Sequence, residues 1–423
     1  MRESALENTE TGISAEQIET AVGRLQSEYP AVKKVLVLPP DYTRCFSYAG
    51  EITQMIYRIF SAAGAEVFVM PALGTHMEMN AEEKEKFFAG VVPESAFLVH
   101  RWQSDTVRLG TIPADFVAEI TEGLFREEIA VEMNRALTEG EYDLILSVGQ
   151  VVPHEVVGMS NYSKNLFVGV GGRDMINYSH MVGAICGLEQ VIGVTDSPTR
   201  RLYDYAQQNY VDGRIPVVFL LTVTTQPEER VRVNGLYIGA SREPYERACC
   251  LSQRLNITHF KERVKKVVCY LDPDECKSAW IGNKAIYRSC KMIADGGELI
   301  VLAPNVSMFG ENEEADALIR KYGYCGREKI LSLYRQGKFE GMEMVAAHLI
   351  HGSSNGRYRI CYATDPEKLS RDETEKAGFL WSEYRGAAAR YLKDGQKDGF
   401  YRTGDGEVYY YISKPAAGLW QTD

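Results

Sequence analysis

The sequence predicts an α/β fold of two domains, each with a mostly parallel sheet flanked by helices, and an active site in the interdomain cleft. Three observations lead there. Short apolar runs bounded by turn residues alternate with helix-period stretches, which calls for crossover connections and parallel pairing. The chain has 423 residues, enough for two or three domains at roughly 100–200 residues each. Polar residues of chemical interest fall just after the apolar runs, where open α/β sheets bind their ligands.

The elements follow in order. Lys34–Leu38 is an apolar run stopped by Pro39 and Pro40, a buried strand. After the loop Asp41-Tyr-Thr-Arg44 comes a helix with Ile52, Met55, Ile56, Ile59 and Phe60 on one face, closed by Gly64. Glu66–Met70 is the next strand and leads into Leu73-Gly-Thr-His76. Asn80 then caps a helix, with Glu83 at the capping-box position. Tyr142–Ser147 is a third strand that runs into Gly149-Gln-Val-Val-Pro-His154. Val217–Leu221, Val267–Leu271 and Leu299–Ala303 complete the series. A polar stretch at Asn256–Lys265 divides the chain into a first domain, 1–260, and a second, 261–393. The tail 394–423, with the strand-like Gly406–Ile412, could pair back onto the first domain.

Composition narrows the function. The 47 basic and 58 acidic residues leave a net charge of -11, which argues against nucleic acid as a partner. No apolar run has the roughly 18–20 residues of a membrane span, and the polar start MRESALENTETGIS does not read as a signal peptide. A cytoplasmic location is expected. The nine cysteines make no C-x-x-C pair, so neither a disulfide framework nor a structural zinc site is expected.

Chemistry concentrates on histidines, whose unperturbed pKa lies near neutrality. His100, His259, His348 and His351 read as structural or solvated. His76 and His154 differ, because each follows a strand end and a glycine turn. Two such groups flanking one carbon suit a racemase or epimerase, where one takes a proton and the other gives one. The stretch from His154 to His180 is the densest in the chain, with Lys164 in its middle. Gly169, Gly171 and Gly172 would allow close approach of a ligand, although neither the dinucleotide fingerprint nor a P-loop is present.

These motifs resemble the nickel-dependent lactate racemase family, whose members carry a nickel pincer nucleotide. In that family a catalytic histidine stands ten residues before the lysine joined to the cofactor, and a nickel-ligating histidine sixteen residues after it. Here His154, Lys164 and His180 keep both spacings. The family's Asp-x-Thr-Arg and Gly-Thr-His loops are matched by Asp41-Tyr-Thr-Arg44 and Gly74-Thr75-His76. The resemblance therefore runs through residues 41–180 in four ordered motifs.

It implies a racemase or epimerase that inverts C2 of a 2-hydroxy acid by transient hydride transfer to the cofactor. The cofactor would be pyridinium-3-thioamide-5-thiocarboxylic acid mononucleotide with nickel, attached at Lys164, and its maturation enzymes would be partners. The first domain would bind it, through Asp41, Gly74 and Thr75 as well as Lys164. His76 and His154 would be the acid/bases, His180 the nickel ligand, and Arg44 the fork for the substrate carboxylate. Lys284 would meet the substrate from the second domain, in Trp280-Ile-Gly-Asn-Lys284. That segment departs from the family's Tyr-Gln-x-x-Lys, and Cys45 stands where a proline is usual. The resemblance implies a lactate-like substrate, and the departures point toward a larger or more polar 2-hydroxy acid such as a sugar acid. Two other classes compete: a zinc hydrolase using His76, His154 and His180, and a ligand-binding homologue without turnover.

Overall fold

The computed structural model describes residues 3–226 and 230–422. Contacts divide the chain into two units, Met1–Ser179 with Gly193–Leu255, and His180–Ile192 with Asn256–Asp423. The chain leaves and re-enters the first unit once, and the first crossing falls inside the helix Arg173–Cys186.

The first unit is built on strands β1 (Ser4–Glu7), β2 (Lys34–Leu38) and β3 (Glu66–Val69), an outlying hairpin of β4 (Thr106–Ile112) and β5 (Ile129–Asn134), and β6 (Leu144–Gln150). They are followed by the short hairpin of β7 (Pro153–His154) and β8 (Gly158–Met159), then β9 (Val217–Thr225) and β10 (Arg232–Gly239). The main sheet has the order β1-β10-β9-β6-β2-β3. From β9 to β3 the pairing is parallel, and β10 and β1 add an antiparallel edge. Val35, Leu36, Val37 and Leu38 are fully buried, as expected of a parallel strand covered on both faces. That double burial is why the strand reads as an unbroken apolar run.

Helix Ala15–Glu28 buries Ile18, Val22 and Leu25 at helical spacing. Helix Ala49–Ala62 does the same with Ile52, Met55, Ile56 and Phe60, and both pack in one core with Val35, Val37 and Leu146. Asn80 and Glu83 form the reciprocal capping box that opens helix Ala81–Phe88. Strand order matters for the site. The chain moves from β2 outward to β3, then returns to place β6 on the other side of β2. The carboxyl ends of β2 and β6 are thus the point where the order reverses, the usual ligand crevice of such sheets.

The second unit carries β11 (Ile257–Phe260), β12 (Val264–Tyr270), β13 (Ile293–Ala303), β14 (Arg359–Thr364), β15 (Leu380–Glu383), β16 (Gly399–Arg402), β17 (Val408–Ile412) and β18 (Leu419–Thr422). Its sheet has the order β15-β14-β13-β12-β17-β16, parallel except for β16. This corrects the expectation for 394–423: the tail pairs within the second sheet, Val267 to Val268 and Cys269 of β12 taking Tyr410 to Ile412 as partners. β18 pairs with β11 in the same unit. Tyr409 and Tyr411 of β17 complete a core with Val268, Ile300 and Leu302, which a pairing elsewhere would leave uncovered. Among the described residues, no helix is long and apolar enough to cross a membrane.

Candidate active site

The loop after β2 starts with Asp41, which caps a 3-10 turn, Tyr42–Ser47, by accepting from the Thr43 N–H at 3.1 Å. Its Oδ1 also accepts from the Thr43 hydroxyl at 2.5 Å, and its Oδ2 meets His76 Nδ1 at 2.5 Å. Asp41 is only 5 % exposed. Burial pushes its carboxyl up, but the bond and charge of His76, the Thr43 hydroxyl and the Arg44 charge outweigh it and hold it below the ordinary value. The carboxylate therefore stays ionised and accepts from His76 Nδ1, so a singly protonated ring carries its proton there. That leaves Nε2 of His76, an exposed residue, as a lone-pair acceptor.

Gly74 gives the loop after β3 its turn, with φ of 57°. Its N–H donates to Gly169 O at 2.8 Å, which ties Gly74-Thr75-His76 to the segment that follows Lys164. Arg44 is exposed, in the same turn as Asp41.

His154 ends β7, and its Nδ1 accepts from the Val156 N–H at 3.1 Å. A backbone N–H can only donate, so neutral His154 carries its proton on Nε2. The two histidines are thus held in opposite tautomers, one by a carboxylate and the other by a backbone amide.

Lys164 comes just before a π-helical turn, Asn165–Gly169, a geometry frequent at functional sites. Asn165 Nδ2 donates to Leu38 O at 3.1 Å and to Ser147 Oγ at 2.9 Å. Those atoms belong to β2 and β6, so Asn165 fastens the lysine segment to the point of strand reversal. Burial is the main cause that lowers the Lys164 amine to about 8, assisted by the charges of Arg44 and Arg200 and opposed by Glu155 and Asp41. A substantial part of its population is neutral near physiological pH.

The glycines of 169–172 serve a different end from the one expected. A Cβ on Gly171 would lie 1.9 Å from Phe167 O, and one on Gly172 would lie 2.3 Å from the Glu132 carboxylate. Their bareness lets the chain pack on itself rather than on a ligand.

Of the sequence-predicted residues, Asp41, Arg44, Gly74, Thr75, His76, His154 and Lys164 belong to the first unit. His180, half-buried on helix Arg173–Cys186, and Lys284, the first residue of helix Lys284–Ser289, belong to the second. Beside Lys284, Asn283 Oδ1 accepts from Tyr362 at 2.6 Å, and Trp280 stacks on His348 with ring centroids 3.9 Å apart. His348 bonds Tyr287 at 3.0 Å and Tyr324 at 2.9 Å, and burial pushes it down to about 3. His100 is also buried, accepts from Asn134 at 3.0 Å and is pushed down by burial to about 4. Both are thus buried with hydrogen-bond partners of their own. Among the described residues, no three His, Cys, Asp or Glu side chains are grouped so as to hold a metal.

Residues 7–191 match the family model of the lactate racemase N-terminal domain. That stretch of the chain is therefore similar to the N-terminal domain of lactate racemases. A curated lactate racemase from Thermoanaerobacterium thermosaccharolyticum is 24% identical over 248 residues, which is 57% of this chain and 53% of that protein. The chain thus aligns with about half the length of this relative. A crystal structure of a Thermotoga maritima protein matches with a TM-score of 0.82 and 26% identity, over 99% of this chain and 100% of that one. The lactate racemase apoprotein of T. thermosaccharolyticum matches with a TM-score of 0.72 over 97% of this chain and 94% of that one. At 16% identity this second likeness concerns the fold. The matched stretch, 7–191, contains every motif from Asp41 to His180.

Sequence reasoning missed Asn165 and Arg200. Arg200 is fully buried in the helix Pro198–Tyr210. Its signal was an arginine in register with Tyr203 and Gln207 on one helix face, a pattern that more often marks a solvated edge.

Proposed function

We propose that the chain is a 2-hydroxy-acid racemase or epimerase that works with a nickel pincer nucleotide joined to Lys164. The observation that carries this reading is one electrostatic cluster in the first unit. Lys164 is coupled to Arg44 and Asp41, and Asp41 is bonded to His76. An amine lowered to about 8 suits a covalent anchor, because only the neutral form is nucleophilic. An imidazole suits nickel, and the resemblance gives that role to His180. When bound, the pincer ring supplies a hydride acceptor, a chemistry that no side chain offers.

The chain's own residues do the rest. Arg44 offers a planar fork to the substrate carboxylate. His76, its Nδ1 proton held by Asp41, accepts the hydroxyl proton at Nε2. His154, with its proton at Nε2, is set to donate, and the roles exchange in the reverse direction. Gly74 and Thr75 shape the loop that presents His76, and Lys284 contributes a cation for the substrate. The substrate is lactate or a larger 2-hydroxy acid such as a sugar acid. The maturation enzymes of the cofactor are the expected partners, and the cytoplasm the expected location.

The test is to produce the chain with pincer-maturation enzymes and measure nickel and intact mass. Stoichiometric nickel and an added mass mapped to Lys164 support the proposal, as does loss of racemisation in His76→Ala and His154→Ala. An unmodified Lys164, under conditions that load a lactate racemase, overturns it.

A further inference from the structure

The turn that delivers Lys164 is under backbone strain. Asn161 and Tyr162 both have left-handed φ, 63° and 57°, a conformation that is a genuine outlier for a bulky residue such as tyrosine. Consecutive residues of this kind persist only when the surroundings hold them.

One side chain does most of the holding. Arg200 NH2 donates to Met159 O at 2.8 Å and to Asn161 O at 3.1 Å, while NH1 donates to Ser163 Oγ at 2.7 Å. A single guanidinium thus ties down the residues just before Lys164. Its planar fork fits this task, where a lysine would offer one point of attachment. The guanidinium lies 4.4 Å from the Tyr245 ring centroid and 5.9 Å from those of Tyr162 and Tyr203. Tyr162 in turn stacks on Tyr245 at 5.0 Å, and the Tyr245 hydroxyl donates to Met159 O at 3.0 Å. The bulky left-handed residue is therefore packed on a ring that itself carries the cation.

We propose that Arg200 is a positioning residue that clamps the strained turn Asn161–Ser163 and so fixes where the ε-amino group of Lys164 is presented. Its purpose rests on the reading of Lys164 as the cofactor's anchor. The charged groups acting on Lys164 are Arg44, Arg200, Glu155 and Asp41. Those around Arg200 are Asp204, Tyr162, Tyr203, Tyr245 and Cys249. The clamp is thus also a buried cation that disfavours protonation of the amine.

The experiment uses the chain without cofactor, so its outcome is separate from whether nickel loads. Lys164 is acetylated with N-hydroxysuccinimidyl acetate from pH 6 to 10 and quantified by peptide mass analysis. The amine nitrogen forms the amide bond, the ester C–O bond breaks, N-hydroxysuccinimide leaves and the amine proton goes to water. Arg200→Gln keeps hydrogen-bonding capacity and drops the charge. The midpoint of its profile is expected to rise, and labelling at pH 7 to fall about three-fold. Arg200→Lys keeps the charge and loses the fork, so the midpoint should stay in place. Amide exchange across 159–165 should quicken about ten-fold in both variants. A folded Arg200→Gln variant with an unchanged midpoint overturns the proposal. If that variant does not fold, Arg200→Lys decides: unchanged exchange in the turn overturns the clamp.

Discussion

Asp41→Asn separates what the Asp41–His76 pair does for stability from what it does for chemistry. Asparagine keeps the volume and the Oδ1 acceptor, so the 3.1 Å cap on the Thr43 N–H survives. It places an NH2 where Oδ2 stood 2.5 Å from His76 Nδ1. Two donors cannot face each other, so His76 moves its proton to Nε2 and loses the lone pair that would accept from substrate. A hydrogen bond to a charged group contributes about 1.5–3 kcal/mol. The His76 side chain is 52% exposed, and solvent screening reduces the expected loss to about 1–2 kcal/mol. The effect on turnover is larger, about 10³–10⁴-fold, as for other histidines forced into the wrong tautomer.

The pH dependence has a definite sign. The folded-state pKa of Asp41 is depressed, so the stability it contributes is present above the ordinary carboxylate value, about 3.9. It is lost as pH falls through the lower folded value. Urea unfolding should show the full gap between wild type and Asp41→Asn at pH 6–7, closing as pH falls below the ordinary carboxylate value of about 3.9. A gap unchanged at low pH, or turnover within a few-fold of wild type, would refute the reasoning.

Other expectations are independent of this one. Gly171→Ala should destabilise by more than about 3 kcal/mol, because the new Cβ would meet a backbone oxygen at 1.9 Å; a wild-type melting midpoint would contradict the packing. Gly23→Ala lies in a helix interior with no atom within 4 Å of the new Cβ, and should stabilise by about 0.5–1 kcal/mol in urea. Arg44→Lys should raise KM for a 2-hydroxy acid about ten-fold or more while changing kcat less, since one attachment point replaces a fork. His348→Phe keeps a ring against Trp280 but removes a group whose pKa falls to about 3 on folding. Wild type should lose stability from about pH 6.5 downward, where only the unfolded histidine takes a proton, and the variant's slope there should be shallower.

What the sequence by itself determined is local. Lys34–Leu38 was legible to the residue because a strand buried on both faces must be apolar throughout. The Asn80–Glu83 box was legible because capping satisfies amides only three residues away. Position after a strand end and a glycine turn also singled out His76 and His154, and the family resemblance singled out Lys164. Tertiary structure decided everything that depends on distant segments meeting. It paired Asp41 with His76 across 35 residues and brought Asn165 to β2 and β6. It also set β17 beside β12 and placed His180–Ile192 in the second unit. The strained turn before Lys164 and its arginine belong to this class. No propensity predicts a left-handed tyrosine, since the interactions that hold it come from residues 200 and 245. Periodicity reports which side of an element is buried, but not what lies against it, and that choice is made only when the sheet closes.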